Sequence, residues 1–200
     1  MKKFLVLVAL LPLALSCSND DDATPETPFF NLAEGNMWVY RRYNPDQNGN
    51  ATVPTNDIDT VRVVGQEVIE GETYFKLTHS YYIEEIDYLR IDTQGHLVAP
   101  GGYVYHPGTD LNYTYSRPFE PYGTFDYYFD DQEYTYNVMG QQYSIRGYVN
   151  YFTPHEGGQG YEGKGTLLAY QPGIGVVVNR NRFLSGPIYF EDRLEYYELN

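Results

Sequence analysis

The sequence predicts an all-β protein, an antiparallel curled sheet or barrel-like domain, with a two-sheet β-sandwich as the alternative. Apolar residues recur mostly at a period of two beyond residue 29, the signature of strands with one buried face. Turn dipeptides punctuate the chain at short intervals: Asn48-Gly49, Glu70-Gly71, Gln94-Gly95, Pro107-Gly108, Met139-Gly140, Pro172-Gly173 and Gly186-Pro187. No stretch of roughly 12 residues keeps a helical period between them, which argues against βαβ units. Around ten strands fit this spacing.

The N-terminus reads as an export signal over residues 1–16. Met1-Lys2-Lys3 is cationic, residues 4–15 are apolar apart from Pro12, and Ser16 is small. An apolar run this short falls below the roughly 20 residues that a bilayer-spanning helix needs. Residues 17–28 form a polar tether, and a single β domain is expected over 29–200.

Within the folded part, alternation is clearest at Thr73-Phe75-Leu77, Tyr134-Tyr136-Val138, and Tyr143-Ile145 with Val149-Tyr151. Lys76, Thr135, Asn137, Ser144 and Arg146 stand between them, as expected of half-exposed antiparallel strands. Tyrosine outnumbers phenylalanine by 23 to 10, so many rings must sit where the phenol finds a partner or water. No internal repeat suggests a solenoid or propeller.

The segment Leu13-Ala14-Leu15-Ser16-Cys17 resembles the lipobox of bacterial lipoproteins, with Ala14 where leucine is usual. The resemblance implies cleavage before Cys17 and lipid on its thiol. Two or three acyl chains would anchor the protein stably, at about 0.8 kcal/mol per buried methylene. The run Ser18, Asn19, Asp20, Asp21, Asp22 resembles the acidic tag that Bacteroidota lipoproteins carry for export to the cell surface. Together these imply an outer-membrane address, lipid-anchored and facing outward.

Three further stretches resemble a group of all-β lipoproteins common in Bacteroidota. They are Phe30-Asn31-Leu32-Ala33-Glu34-Gly35-Asn36-Met37-Trp38-Val39-Tyr40, Gly71-Glu72-Thr73-Tyr74-Phe75-Lys76-Leu77 and Tyr170-Gln171-Pro172-Gly173-Ile174-Gly175-Val176-Val177. The resemblance implies a fold and carries no chemistry.

Cys17 is the only cysteine, so the domain has no disulfide and no cysteine ligand or nucleophile. Without Lys2 and Lys3 the chain keeps 11 basic against 27 acidic residues, a formal charge of −16. Nucleic acid is a poor partner for such a surface, because affinity there comes mainly from cations neutralising phosphates. Membrane contact is expected through the anchor alone.

Several motifs approach known chemistry. Gly158-Gln159-Gly160-Tyr161-Glu162-Gly163-Lys164 has the glycine and lysine spacing of a phosphate loop, but Gly165 replaces the hydroxyl residue, and Thr166-Leu167-Leu168-Ala169-Tyr170 reads as a strand. Asn44, Asp46, Asn48 and Gly49 match half a calcium loop whose twelfth position is Thr55; a looser site would draw on Asp57 or Asp59. His79, His96, His106 and His155 lack zinc-ligand spacing, and no Gly-x-Ser-x-Gly elbow occurs. No cofactor and no metal site is therefore expected.

Glu84-Glu85, Asp87, Asp130-Asp131 and Glu191-Asp192 are the carboxylates available for glycoside hydrolysis, with solvated turn charge as the plainer reading. Asp126-Tyr127-Tyr128-Phe129 and residues 103–115 concentrate aromatic rings able to stack on sugars or line a groove, although adjacent strand residues face opposite ways. Asp59-Thr60-Val61 resembles the Bacteroidota O-glycosylation site.

A non-catalytic binding or interaction module on the cell surface, with a glycan or surface protein as partner, is the leading expectation. A carrier of lipid or another small apolar ligand is the second, and a surface hydrolase acting on glycans the third. The arrangement of aromatic rings separates the first two: a carrier places them around a cavity, and a glycan binder exposes them as a flat strip.

Overall fold

The structure, a computed structural model, describes residues 28–46, 51–81, 84–157, 160, 162–182 and 189–200. Cys17, the acidic run and the export signal lie outside the described residues. So do the turns at Asn48-Gly49 and Gly186-Pro187, and Gly158, Gln159 and Tyr161 of the glycine-rich stretch.

The described residues form twelve strands: β1 (Met37–Pro45), β2 (Ala51–Ile69), β3 (Glu72–His79), β4 (Ile86–Ile91), β5 (Leu97–Val98), β6 (Val104–His106), β7 (Tyr115–Phe119), β8 (Gly123–Val138), β9 (Gln141–Pro154), β10 (Gly163–Gln171), β11 (Gly175–Arg182) and β12 (Tyr189–Glu198). The expected ten miss two because β5 and β6 are pieces of two and three residues around a short 3₁₀ turn at Pro100–Gly102, too short to show alternation.

All twelve belong to one antiparallel sheet in the order β6-β5-β4-β3-β2-β1-β12-β11-β10-β9-β8-β7. The sheet curls into a half-barrel, so the curled-sheet expectation holds and the two-sheet sandwich does not. Every neighbouring pair is a sequential hairpin except β1 with β12, which joins the first and last strands at the centre. The two edges, β6 and β7, are consecutive in sequence.

Turn chemistry agrees with the hairpins. Glu70-Gly71 and Met139-Gly140 close β2–β3 and β8–β9, each with positive φ at both residues (53° and 87°; 51° and 81°). Two-residue hairpin turns of this kind match the strand twist and favour glycine at the second position.

Inside the curl, alternate residues of many strands pack together: Trp38, Val61, Val63, Leu77, Leu89, Leu97, Val177 and Leu194 are all buried. The segment before β1 closes one end. Phe29 stacks on Tyr170 with centroids 5.4 Å apart, and Phe30 meets the same ring edge-on at 4.9 Å. Asn36, fully buried, donates to the Asn31 carbonyl and accepts from the Asn200 amide, tying the segment before β1 to the residues after β12.

The long β8–β9 hairpin is irregular between Phe129 and Glu133. Beyond that point it reaches over the other face of β11 and β12. There Tyr136 shares a recess with Val178 and Arg193, and Arg180 lies 5.8 Å from the centre of the Tyr134 ring. The bulge is what lets one hairpin serve two faces of the sheet.

Candidate functional site, a cavity within the curled sheet

The concave face holds a cavity of about 480 Å³, within the range that accommodates a small organic ligand. Alternation builds it. Trp38 and Tyr40 on β1, Val61 and Asp59 on β2, and Leu77 and His79 on β3 point the same way because each pair is two residues apart. Register then ranks them: Trp38 lies opposite Val61, and Tyr40 opposite Asp59.

The walls are apolar, made by Leu32, Trp38, Leu77, Leu89, Leu97 and Val176. Trp38 is fixed by its indole N–H donating to the Ile174 carbonyl at 2.5 Å, and Tyr40 by its hydroxyl donating to the Val176 carbonyl at 3.0 Å. Tyr105 and Tyr170 also line the cavity, yet neither hydroxyl has a hydrogen-bond partner among the described residues. Tyr170 is only 7% exposed. Burial raises its pKa, with Tyr105 adding to the effect, so the phenol stays neutral and able to donate.

The polar lining is mostly acidic and hydrogen-bonded. His79 is held between two carboxylates, with Nδ1 2.6 Å from Asp59 and Nε2 3.3 Å from Asp87. These bonds, Asp59 first, push its pKa up to about 10, so the imidazolium is charged at neutral pH. Burial alone would raise the Asp59 pKa, but the bond to His79 and the amides of Tyr81 and Ser80 hold it below the usual carboxylate range. Asp192 takes two bonds from Arg42, at 3.0 and 3.1 Å, and Glu85, Asn179 and Asn181 complete this lining.

The four histidines do not converge. His96 lies 3.5 Å from Asp92, His155 lies 3.8 Å from Glu120, and His106 is buried among Phe29, Phe30, Phe129, Tyr148 and Tyr170. Burial pushes the His106 pKa down to about 3, and its Nδ1 accepts from the Gly108 amide at 3.1 Å. Among the described residues no group of three or more His, Cys, Asp or Glu is arranged to hold a metal.

Near the half-calcium-loop stretch, Asp46 accepts from the Thr52 hydroxyl at 3.0 Å across the β1–β2 pair, while Asp59 is committed to His79. Thr60 of the candidate glycosylation site is half-buried on β2, with its amide donating to the Ser80 hydroxyl.

The carboxylates of the hydrolase reading go to separate partners: Asp87 to His79, Asp130 to Lys164, Glu191 to Arg180 and Arg193, and Asp192 to Arg42, while Glu84, Glu85 and Asp131 are exposed. The aromatic stretches also divide between faces. Tyr127 and Phe129 pack with Tyr148, and Tyr128 packs against the main core. Tyr103 and Tyr115 both reach Tyr127, and Tyr113 meets His96. They make a packed aromatic seam along the closing side of the curl in place of a flat exposed strip.

Sequence motifs mark Asp59, His79, Glu85, Asp87 and Asp192 singly, and only strand pairing brings them to one cavity. Trp38, Tyr40, Leu89, Asn179 and Asn181 went unmarked as cavity residues. Their only signal was alternation, which assigns a face and leaves open whether that face is filled.

No protein family and no curated protein matches the chain. Two solved structures resemble it. One is a proposed lipoprotein from Parabacteroides distasonis, at 13% identity and a TM-score of 0.39. The other is a proposed exported protein with a YmcC-like fold from Bacteroides fragilis, at 11% identity and a TM-score of 0.40. Each match covers 86% of this chain and 99% of the other.

Proposed function

We propose that the protein is a lipid-anchored envelope lipoprotein whose half-barrel holds a small, partly apolar ligand in its concave cavity. The observation that carries this reading is the 480 Å³ space lined by Trp38, Leu77, Leu89 and Leu97, with two unpartnered phenols beside it. Their hydroxyls are free to donate to a ligand acceptor or to water in this space. The rings that border this space also favour a carrier over a flat glycan platform. The polar lining offers carboxylate acceptors, Asp59, Asp87 and Asp192, beside the phenol donors Tyr105 and Tyr170, which suits a ligand whose polar end both donates and accepts hydrogen bonds.

The anchor is Cys17 and the outward address is carried by Ser18, Asn19, Asp20, Asp21 and Asp22, on the strength of their resemblance to the lipobox and the acidic export tag. With its lipid in the outer membrane, the domain would stand outside the cell, where it collects or presents its ligand.

Native mass spectrometry on the mature chain carrying Cys17→Ser, secreted by its own host and purified without detergent, tests the ligand. A stoichiometric extra mass that is lost on denaturation is the expected result. A bare mass from several growth conditions would overturn the carrier reading and return the search to surface partners. The address is tested separately: Cys17→Ala should leave the membrane fraction, and protease added to intact cells should cut the wild-type domain.

A further inference from the structure

The basic residues of this acidic chain are not evenly spread. The whole sequence has 13 Lys and Arg against 27 Asp and Glu, yet Lys164, Arg180 and Arg182 line one recess of about 220 Å³. The recess lies on the face of β10 and β11 away from the ligand cavity, with Tyr134 of the β8–β9 hairpin on one side and Tyr189 of β12 on the other. Arg193, bound to the second oxygen of Glu191, lines a separate recess with Tyr136 and Val178.

We propose that this recess is a second binding site, and that it takes an oxyanion: a phosphate or sulfate group, or the carboxylate of an acidic sugar. The charge balance is the first argument. Among the described residues its lining holds three cations, Lys164, Arg180 and Arg182, and no carboxylate, with Asp130 and Glu191 bound to two of them and Glu162 bound to neighbouring Tyr151, in a chain whose formal charge is −14. A recess with low-dielectric walls focuses such a field, so an anion repelled elsewhere on the surface is attracted here.

Donor capacity is the second argument. An ammonium has three N–H donors and a guanidinium five. Lys164 uses one on Asp130 at 2.5 Å, and its side chain is half exposed, so solvent reaches the rest. Arg180 directs Nε and one terminal nitrogen at Glu191. Its plane is set by the Tyr189 ring, 4.5 Å away, and its remaining terminal nitrogen is available in a fork geometry suited to oxyanions.

Lys164, at the end of the glycine-rich stretch, thus enters an anion-binding arrangement that is no phosphate loop. Lys164 stands on β10, and the cations come from paired strands instead of a helix N-terminus. The site is independent of the ligand cavity, which lies on the other face.

The competing explanation is that these cations only clamp the hairpin to the sheet. Solution NMR on the ¹⁵N-labelled mature chain with Cys17→Ser separates the two. Sodium sulfate, inorganic phosphate and sodium glucuronate are titrated at constant ionic strength, with glucose as the neutral control.

The expected result is saturable shifts of the Gly163, Lys164 and Thr166 amides and the Arg180 Nε–H with at least one anion and none with glucose. Lys164→Gln should weaken that binding about tenfold, consistent with loss of a charge-assisted hydrogen bond, and should also lower stability because it leaves buried Asp130 without its cation. If Lys164→Gln also loosens the hairpin, Arg182→Gln provides the second comparison. A preference for sulfate or phosphate assigns a tetrahedral group, and a preference for glucuronate assigns an acidic sugar. Shifts that rise without saturating, that survive both substitutions, or that glucose reproduces would overturn the proposal.

Discussion

Arg180 closes on Glu191 at 2.6 Å beneath the β8–β9 hairpin, where the carboxylate is only 2% exposed. Arg193 binds the other carboxylate oxygen at 2.7 Å, so Glu191 is shared by two guanidinium groups. Burial would lower the Arg180 pKa, but Glu191 more than offsets it and the net shift is upward. Removing one member of a buried ion group leaves the others uncompensated, at about 3–5 kcal/mol. Glu191→Gln should therefore destabilise the domain by about that much in urea unfolding. Replacing Arg180 by Met and Glu191 by Leu together should recover part of the loss, because a well-packed apolar pair avoids the desolvation cost.

Two histidines impose opposite pH dependences. His79 is raised to about 10, so its stabilisation is complete below pH 6.5, its unfolded value, and is lost as pH rises toward 10. His106 is lowered to about 3, so its neutral form costs nothing above pH 6.5 but increasingly opposes folding below it, as the unfolded chain takes up a proton. Each slope is limited to about 1.4 kcal/mol per pH unit. Urea midpoints at pH 5, 6.5 and 9 should peak near 6.5. His79→Gln should flatten the alkaline side, and His106→Leu the side between pH 6.5 and 4; below that, depressed carboxylates such as Asp59 add their own loss. Parallel profiles for wild type and both variants would refute the assignment.

The strands were legible because alternation and turn residues act locally. Tyr134-Tyr136-Val138 and Tyr143-Ile145 fall on β8 and β9, with Met139-Gly140 as their turn, as the pattern requires. The closing geometry was not legible. β1 pairs with β12 across the whole chain, and nothing local in Trp38 or Leu194 specifies that partner. The cavity depends on the same long-range closure: Asp59 and His79 are 20 residues apart in sequence, and only the register of β2 on β3 brings them to 2.6 Å.

Gly165 shows how a residue that breaks one motif satisfies another requirement. A Cβ there would lie 2.2 Å from Oδ1 of Asn150, a buried side chain on β9. Asn150 uses that oxygen to accept from the Thr166 amide at 3.0 Å and its nitrogen to donate to the Thr166 hydroxyl at 2.6 Å. Gly165→Ala must displace the carboxamide and lose both bonds, so a cost of about 1–3 kcal/mol is expected. Asn150→Ala in the Gly165→Ala background should add much less than it does alone, since the two changes remove the same contacts. Additive effects in a double-mutant cycle would contradict this.

The hydroxyls of Tyr105 and Tyr170 offer the sharpest separation between packing and binding. Neither has a partner within the described residues, so Tyr105→Phe and Tyr170→Phe remove no internal hydrogen bond and should change stability by less than about 0.5 kcal/mol. Tyr40→Phe is the internal control, because its hydroxyl donates to the Val176 carbonyl and its loss should cost about 1 kcal/mol. If a ligand accepts from the two free phenols, Tyr170→Phe should lower the fraction of ligand-bearing protein seen by native mass spectrometry at unchanged thermal stability. Tyr40→Phe should do the reverse, lowering stability with occupancy largely retained. Equal occupancy in all three variants would mean that the phenols are solvated by water and that any recognition rests on the apolar wall formed by Trp38, Leu77 and Leu89.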